Sequence, residues 1–180
     1  MELSSTAYVI LGMVDWRPMS GYEIKSMVDR STRLFWTASY GQIYPELRRL
    51  AEAGLIEGKP SPHGGRKRHV YRPTPAGRKE LRAWLGADPE VFETRDEALL
   101  KLFFADSAGG RTAAATLDAK RRHHEEIVEY LRGIEASGQS KGFGQLVLRY
   151  GIELNEWSAD WCERAKSELE QPDGTTRRAA

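Results

Sequence analysis

The chain has 180 residues and a formal net charge of +1, with a hydrophobic share of 40% and five tryptophans, enough to build packed cores and to set aside a disordered chain. No run approaches the ~18 consecutive apolar residues of a membrane span, and the N-terminal stretch lacks the basic segment and cleavage site of a signal peptide. Cys162 is the single cysteine, which excludes an internal disulfide and a cysteine metal cluster. The expectation is a soluble, cytoplasmic protein without membrane contact. The small net charge hides an asymmetry: residues 1–86 carry 14 Lys/Arg against 8 Asp/Glu, and residues 87–180 carry 13 against 18. A basic front half suits a polyanion partner.

In chain order, Leu3 to Asp15 places Ala7, Ile10, Leu11 and Val14 on one helical face, and Pro18 ends the segment. Ser20 with Glu23 forms a capping box that opens a second helix, with Tyr22 or Ile24 and Met27, Val28 turned inward. A connection from Ser31 to Ala38 follows, and its Leu34, Phe35 and Trp36 are expected to pack under the next helix. Ser39 with Gln42 makes another capping box, after which Ile43, Leu47 and Leu50 fall on one face and leave Arg48 and Arg49 off it. Pro45 lies inside this helix and predicts a kink or a late start. Gly54 is placed to end the helix in a left-handed conformation.

Strands are predicted at Leu55–Lys59 and His69–Arg72, with Pro60, Pro62, Gly64 and Gly65 at the tip and Arg66, Lys67, Arg68 and His69 along the edge. Thr74 followed by Pro75 caps a further helix whose inner face is Leu81, Trp84 and Leu85. A helix with exposed arginines beside a basic hairpin is the winged helix-turn-helix arrangement, in which the helix enters the DNA major groove.

Residues 87–93 form a linker around Gly86 and Pro89. Thr94 and Glu97 then read as a capping box before the cluster Leu99, Leu100, Leu102, Phe103, Phe104. Gly109 and Gly110 precede a long polar helix with Leu117, His124, Ile127 (or Val128), Leu131 and Ile134 in one stripe. A last helix, Gly144 to Leu169, carries Val147, Tyr150, Leu154, Trp157, Trp161, Ala165 and Leu169 at near-heptad spacing. Long helices with narrow apolar stripes need a partner helix to cover them. The expected organisation is therefore a winged helix-turn-helix domain at 1–86, the linker, an α-helical dimerisation domain at 94–170 and a disordered tail at 171–180. The fold class is mainly α with a small β-hairpin.

The segments SGYEI, YGQIYPELRRLAEAGLI and YRPTPAGRKELRAWL, with the basic hairpin between the last two, resemble the PadR family of transcriptional regulators. The RDEALLKLFFA segment and the tryptophan-bearing last helix resemble the C-terminal part of its longer members. The resemblance spans about residues 3–169 and implies a homodimeric repressor that binds an inverted-repeat operator in double-stranded DNA. It also implies that the recognition helix is the one containing Tyr40, Gln42 and Tyr44. It further implies a response to a small aromatic or phenolic effector, for which Phe103, Phe104, Tyr150, Trp157 and Trp161 are the candidates.

Phosphate contacts are assigned to Lys25, Arg48, Arg49, Arg66, Lys67 and Arg68. Gln42 has the donor–acceptor pair that matches adenine, and Ser39 and Tyr40 stand at the helix's amino end to reach bases or phosphates. Tyr44 reads equally as a base contact or a packing residue, and His69 and Tyr71 brace the wing or touch the DNA backbone.

Catalysis is not expected. His123 and His124 point about 100° apart on a helix and cannot form a metal pair, His63 and His69 lack a carboxylate partner motif, and Cys162 lacks a base. No cofactor and no metal are predicted. The alternative reading is a winged-helix module for protein contacts, but such a domain would not need the basic wing and exposed arginines. A redox sensor at Cys162 would need an exposed thiol, which its neighbours argue against.

Overall fold

The computed structural model describes residues 3–32, 40–61, 68–89 and 95–170. The chain divides into two compact units, Met1–Val91 and Phe92–Ala180. The first contains α1 (Ser5–Trp16), β1 (Met19–Ser20), α2 (Gly21–Ser31), α3 (Tyr40–Glu52), β2 (Ile56–Ser61), β3 (Arg68–Pro73) and α4 (Pro75–Leu85). The second contains α5 (Glu97–Phe103), a short 3-10 turn, α6 (Gly110–Ala136) and α7 (Phe143–Glu170).

Helix boundaries in the first unit follow local chemistry. The Ser4 hydroxyl accepts from the Ala7 N–H at 3.1 Å and caps α1. Ser20 and Glu23 form the full reciprocal capping box of α2, with the Ser20 N–H donating to the Glu23 carboxylate at 2.8 Å. Thr74 caps α4, with Pro75 at its first position. At the end of α3, Gly54 takes φ +68°, which lets the Leu55 N–H turn back onto the Leu50 carbonyl at 2.9 Å. The core collects Ala7, Ile10, Leu11, Met13 and Val14 from α1, Ile24 and Val28 from α2, and Ile43, Leu47 and Leu50 from α3, joined by Met19, Ile56 and Leu81. Each large aliphatic side chain in this set contributes about 1.5–3 kcal/mol through burial.

Three details differ from the sequence reading. The sheet has a third strand, β1, paired with β3 through Met19↔Tyr71 and Ser20↔Val70. A two-residue strand is too short to show alternation. β2 runs on through Pro60 to Ser61, with Pro60 opposite His69; β2 is an edge strand, where the missing N–H is tolerated. Finally, only Leu81 of the predicted α4 inner face is buried. Trp84 is exposed on one side while its ring stacks on Tyr8, with centroids 4.6 Å apart, and Leu85 is 66% exposed. The row that meets the core is Gly77 and Leu81, because α4 approaches at Gly77, where a Cβ would lie 2.0 Å from the Leu55 carbonyl oxygen.

In the second unit, α5 is capped by Asp96, whose carboxylate accepts from the Leu99 N–H at 3.0 Å. Glu97 is thus the first helical residue and not the third, so the predicted Thr94–Glu97 box does not form the cap; Thr94 itself lies outside the described residues. Asp96 has a second task as the ion-pair partner of Lys120 on α6. Burial pushes its carboxyl up, but the Lys120 ammonium and the α5 N–H groups outweigh that and hold it below the usual aspartate range. α6 and α7 pack as a long antiparallel pair joined by Lys166–Asp118 at 3.0 Å, Arg121–Glu163 at 3.3 Å and Arg132–Glu156 at 2.8 Å.

The face that α7 turns to α6 is Leu148, Ile152, Asn155, Ser158, Ala159 and Cys162. These residues are mostly small, and at Gly151 a Cβ would sit 3.1 Å from Leu131 of α6, so small side chains set the helix separation. The predicted stripe is a different row. Val147, Tyr150, Leu154 and Trp157 point outward, Tyr150 and Trp157 being 66% and 58% exposed.

A polar contact between the two helices lies within this packing. Asn155 donates to the Gly151 carbonyl at 2.7 Å, which turns its amide oxygen to accept from His124 Nδ1 at 2.7 Å. His124 is therefore the Nδ1–H tautomer, and its Nε2 is buried without a hydrogen-bond partner. Burial pushes the imidazole below its ordinary value, Lys120 and His123 push the same way, and the Asn155 bond and Asp96 oppose them.

A depressed folded-state pKa means that His124 stabilises the fold while neutral, fully above the unfolded value of about 6.5, and that this contribution is lost as pH falls. Thermal melting should therefore drop more between about pH 7 and pH 5 in the wild type than in His124→Gln; equal slopes would refute the assignment. Gly77→Ala should cost at least the ~1–3 kcal/mol typical of overpacking, because the added Cβ meets the Leu55 backbone carbonyl, which cannot swing aside as a side chain could; urea unfolding reads this directly.

Candidate nucleic-acid interface

α3 shows how a helix divides its residues between core and surface. Ile43, Leu47 and Leu50 are buried, and with about 100° between successive residues the opposite side is formed by Gly41, Pro45 and Arg48. Gln42 and Arg49 lie along one flank, three or four residues either side of Glu46, and Tyr44 lies on the other. Gln42, Arg48 and Arg49 are all exposed. α3 is helical through Pro45, so the proline interrupts the bonding pattern without ending the helix.

The candidate side chains differ in how firmly they are held. Arg49 pairs with Glu46 at 3.3 Å, and Lys25 pairs with Asp29 one turn on in α2. Arg48 has no ion-pair partner among the described residues. Tyr44 is 48% exposed, yet its ring covers Gly21 at the start of α2, where a Cβ would lie 2.9 Å from it. Tyr44 thus packs and remains accessible at once, which answers the packing half of its two readings. His69 is exposed on β3, its ring 6.4 Å from that of Tyr71. Tyr71 braces the hairpin: its ring lies over Gly58, where a Cβ would come within 2.8 Å. Burial pushes the Tyr71 phenol above its usual value, with Tyr44 adding to the effect. Across the strands, Arg72 donates to Glu57 at 2.6 Å, and this bond holds the Glu57 carboxyl below the ordinary range.

Ser39, Arg66 and Lys67 lie outside the described residues, as do the side chains of Tyr40 and Arg68, although Tyr40 opens α3 and Arg68 opens β3. The connection with Leu34, Phe35 and Trp36 and the tail at 171–180 also lie outside.

Sequence reasoning missed Glu46. It is a carboxylate at a position between core residues and is buried to 8% exposure, accepting from the Ser4 hydroxyl at 2.6 Å. The signal available was a charged residue at i+3 from Ile43 and i−4 from Leu50, on the helical face otherwise reserved for apolar side chains.

The effector candidates fall into separate groups. Phe103 and Phe104, at the end of α5, meet edge to face with centroids 5.0 Å apart and are exposed. Tyr150 and Trp157 belong to the outward row of α7, and Trp161 on the same row is partly buried. A groove of about 480 Å³ between α6 and α7 is lined instead by Glu125, Val128, Glu129, Glu156, Ala159 and Asp160. Cys162 is buried, and burial pushes its thiol up, away from reactive thiolate character. No helix among the described residues is long and apolar enough to cross a membrane.

Comparison with known proteins places both units. The model of the transcriptional regulator PadR-like family matches residues 10–83, and that of the virulence activator alpha C-terminal region matches residues 94–170. The negative transcriptional regulator PadR of Bacillus subtilis is 29% identical over 168 residues, covering 87% of this chain and 92% of the relative. Its crystal structure in complex with operator DNA superposes with a TM-score of 0.84 at 28% identity, covering 93% of this chain and all of the other. Its complex with p-coumaric acid gives a TM-score of 0.76 at 27% identity, over 94% and 99% of the two chains. A probable transcriptional regulator of Mycobacterium tuberculosis, Rv1176c, is 30% identical over 174 residues, covering 84% of this chain and 90% of the relative. On these grounds the chain belongs to the PadR-like family of transcriptional regulators, a family of non-enzymatic proteins.

Proposed function

We propose that this regulator is a cytoplasmic homodimeric repressor that binds an inverted-repeat operator through α3 and the β2–β3 wing. The observation that carries the reading is the exposed surface of α3, where Gln42, Tyr44, Arg48 and Arg49 surround a helix whose opposite face is fixed in the core. The similarity to PadR of B. subtilis, which has been crystallised with operator DNA, supports it. In this division of labour Gln42 reads a base edge, while Lys25, Arg48, Arg49, Arg66, Lys67 and Arg68 contact phosphates. Ser39 and Tyr40 contact DNA at the amino end of α3, and His69 contacts it from the wing.

The domain assignment goes with this reading: residues 1–86 bind DNA, 87–93 link, 94–170 associate and 171–180 form a tail. The outward row Val147, Tyr150, Leu154 and Trp157 is the surface that a second copy covers, since an exposed apolar stripe of this length on a long helix calls for a partner helix. A small aromatic effector, of the kind suggested by the p-coumaric acid complex of the B. subtilis protein, acts at Phe103, Phe104, Tyr150, Trp157 and Trp161 and weakens DNA binding by altering the dimer.

Selection from a random duplex library should enrich an inverted repeat. Against that operator, Gln42→Ala should relax preference at particular base pairs by ~1–3 kcal/mol each, whereas Arg66→Ala with Lys67→Ala should weaken all sequences alike and flatten the salt dependence by about two contacts. Failure to enrich any sequence would sink the DNA reading in favour of a protein-contact module. Leu154→Arg should convert the dimer to monomer in sedimentation equilibrium, and an unchanged mass would move the interface off α7.

A further inference from the structure

We propose that Glu46 is a positioning residue for DNA readout, setting through Ser4 and Arg49 the angle at which α3 presents its Gln42–Arg49 flank. The inference rests on the DNA-binding reading above. Glu46 is the one charged residue among the described residues that is less than a tenth exposed, at 8%. Burying a carboxylate is costly unless it is hydrogen-bonded, and an apolar side chain at this place would fill the core at no such cost. A carboxylate at this place is therefore better explained by direction than by stability.

The directional contacts form a chain. The Ala7 N–H of α1 donates to Ser4 Oγ at 3.1 Å, Ser4 Oγ donates to Glu46 Oε1 at 2.6 Å, and Arg49 Nη1 reaches the same oxygen at 3.3 Å. The first turn of α1 also presents the positive end of its helix dipole to a nearby carboxylate. The packing of Ile43, Leu47 and Leu50 decides which face of α3 meets the core, but being non-directional it leaves small rotations of the helix about its own axis weakly opposed. The Ser4–Glu46 bond, being directional, sets the roll within that range. Gln42 and Arg49 share a helical row with Glu46, so a change in roll moves both relative to a groove. The pair with Glu46 also competes, weakly, with any phosphate for Arg49 regardless of sequence.

The test uses the full chain and compares affinity for the selected operator with affinity for a scrambled duplex, across salt concentrations, with circular dichroism melting as the folding control. Ser4→Ala removes the donor and should lower the operator-to-scrambled ratio about three- to tenfold, in line with one hydrogen bond, at unchanged salt slope. Ser4→Thr keeps cap and donor and should restore the ratio. Glu46→Gln keeps an acceptor for Ser4 but releases Arg49, so scrambled-duplex affinity should rise and the salt dependence steepen by about one phosphate contact. A wild-type ratio in both Ser4→Ala and Glu46→Gln overturns the proposal, as does a loss in Ser4→Ala that Ser4→Thr fails to restore. Should the wild type itself show no operator preference, the DNA-binding reading falls, and this inference falls with it.

Discussion

Seating of Ile43, Leu47 and Leu50 on the core is the contact from which the architecture of the first unit follows. A helix has one circumference, and once about a third of it is committed to the core, the residues left for other contacts are determined. Gln42, Tyr44, Arg48 and Arg49 are outside because their neighbours in the sequence are inside. The hairpin is tied to the same contact: Gly54 reverses the chain at the end of α3, and Leu55 then accepts from the Thr74 N–H at 3.0 Å. The carbonyl of Leu55 also meets Gly77 of α4, so the end of α3, the start of the wing and the start of α4 are fixed at one place.

The second unit solves a different packing problem. Its two long helices approach closely because α7 offers Gly151, Asn155, Ser158, Ala159 and Cys162 to α6, and this leaves its large side chains on another row. Small residues at the helix contact bring backbones together, while ion pairs such as Lys166–Asp118 and Arg132–Glu156 fix the register at the edges. Exposed ion pairs of this kind contribute little stability individually, so the contact depends mainly on packing. His124 and Asn155 place one polar contact in the middle of it, where a shift in register would leave both groups unsatisfied.

Much of the first unit was legible because its signals are local. Capping residues, the Gly54 turn and the spacing of Ile43, Leu47 and Leu50 are each set within a few positions of the chain. What was not legible depended on distant partners. Asp96 rather than Thr94 caps α5 because Lys120 on another helix holds its carboxylate, and Leu85 misses the core because α4 approaches at Gly77. On α7 the spacing of large residues suggested a single stripe, and the row that meets α6 was hidden by its small polar members. For the interface, the sequence identified the surface residues of α3 but not the buried Glu46, since polarity alone cannot distinguish a solvated carboxylate from one satisfied by Ser4.

The separation of rows on α7 bears on how such a regulator can be tuned. Leu148, Ile152 and Leu131 hold the helix pair together on one side, and Tyr150, Leu154 and Trp157 stand on the other. The outward row lies off the α6 contact, so in the proposed dimer a ligand or substitution there would act on association without first unpacking the unit. The cost of such a change is then confined to the outward surface. Under the proposed dimer, this lets a small aromatic molecule compete for that surface with an affinity well below what unfolding the helix pair would require.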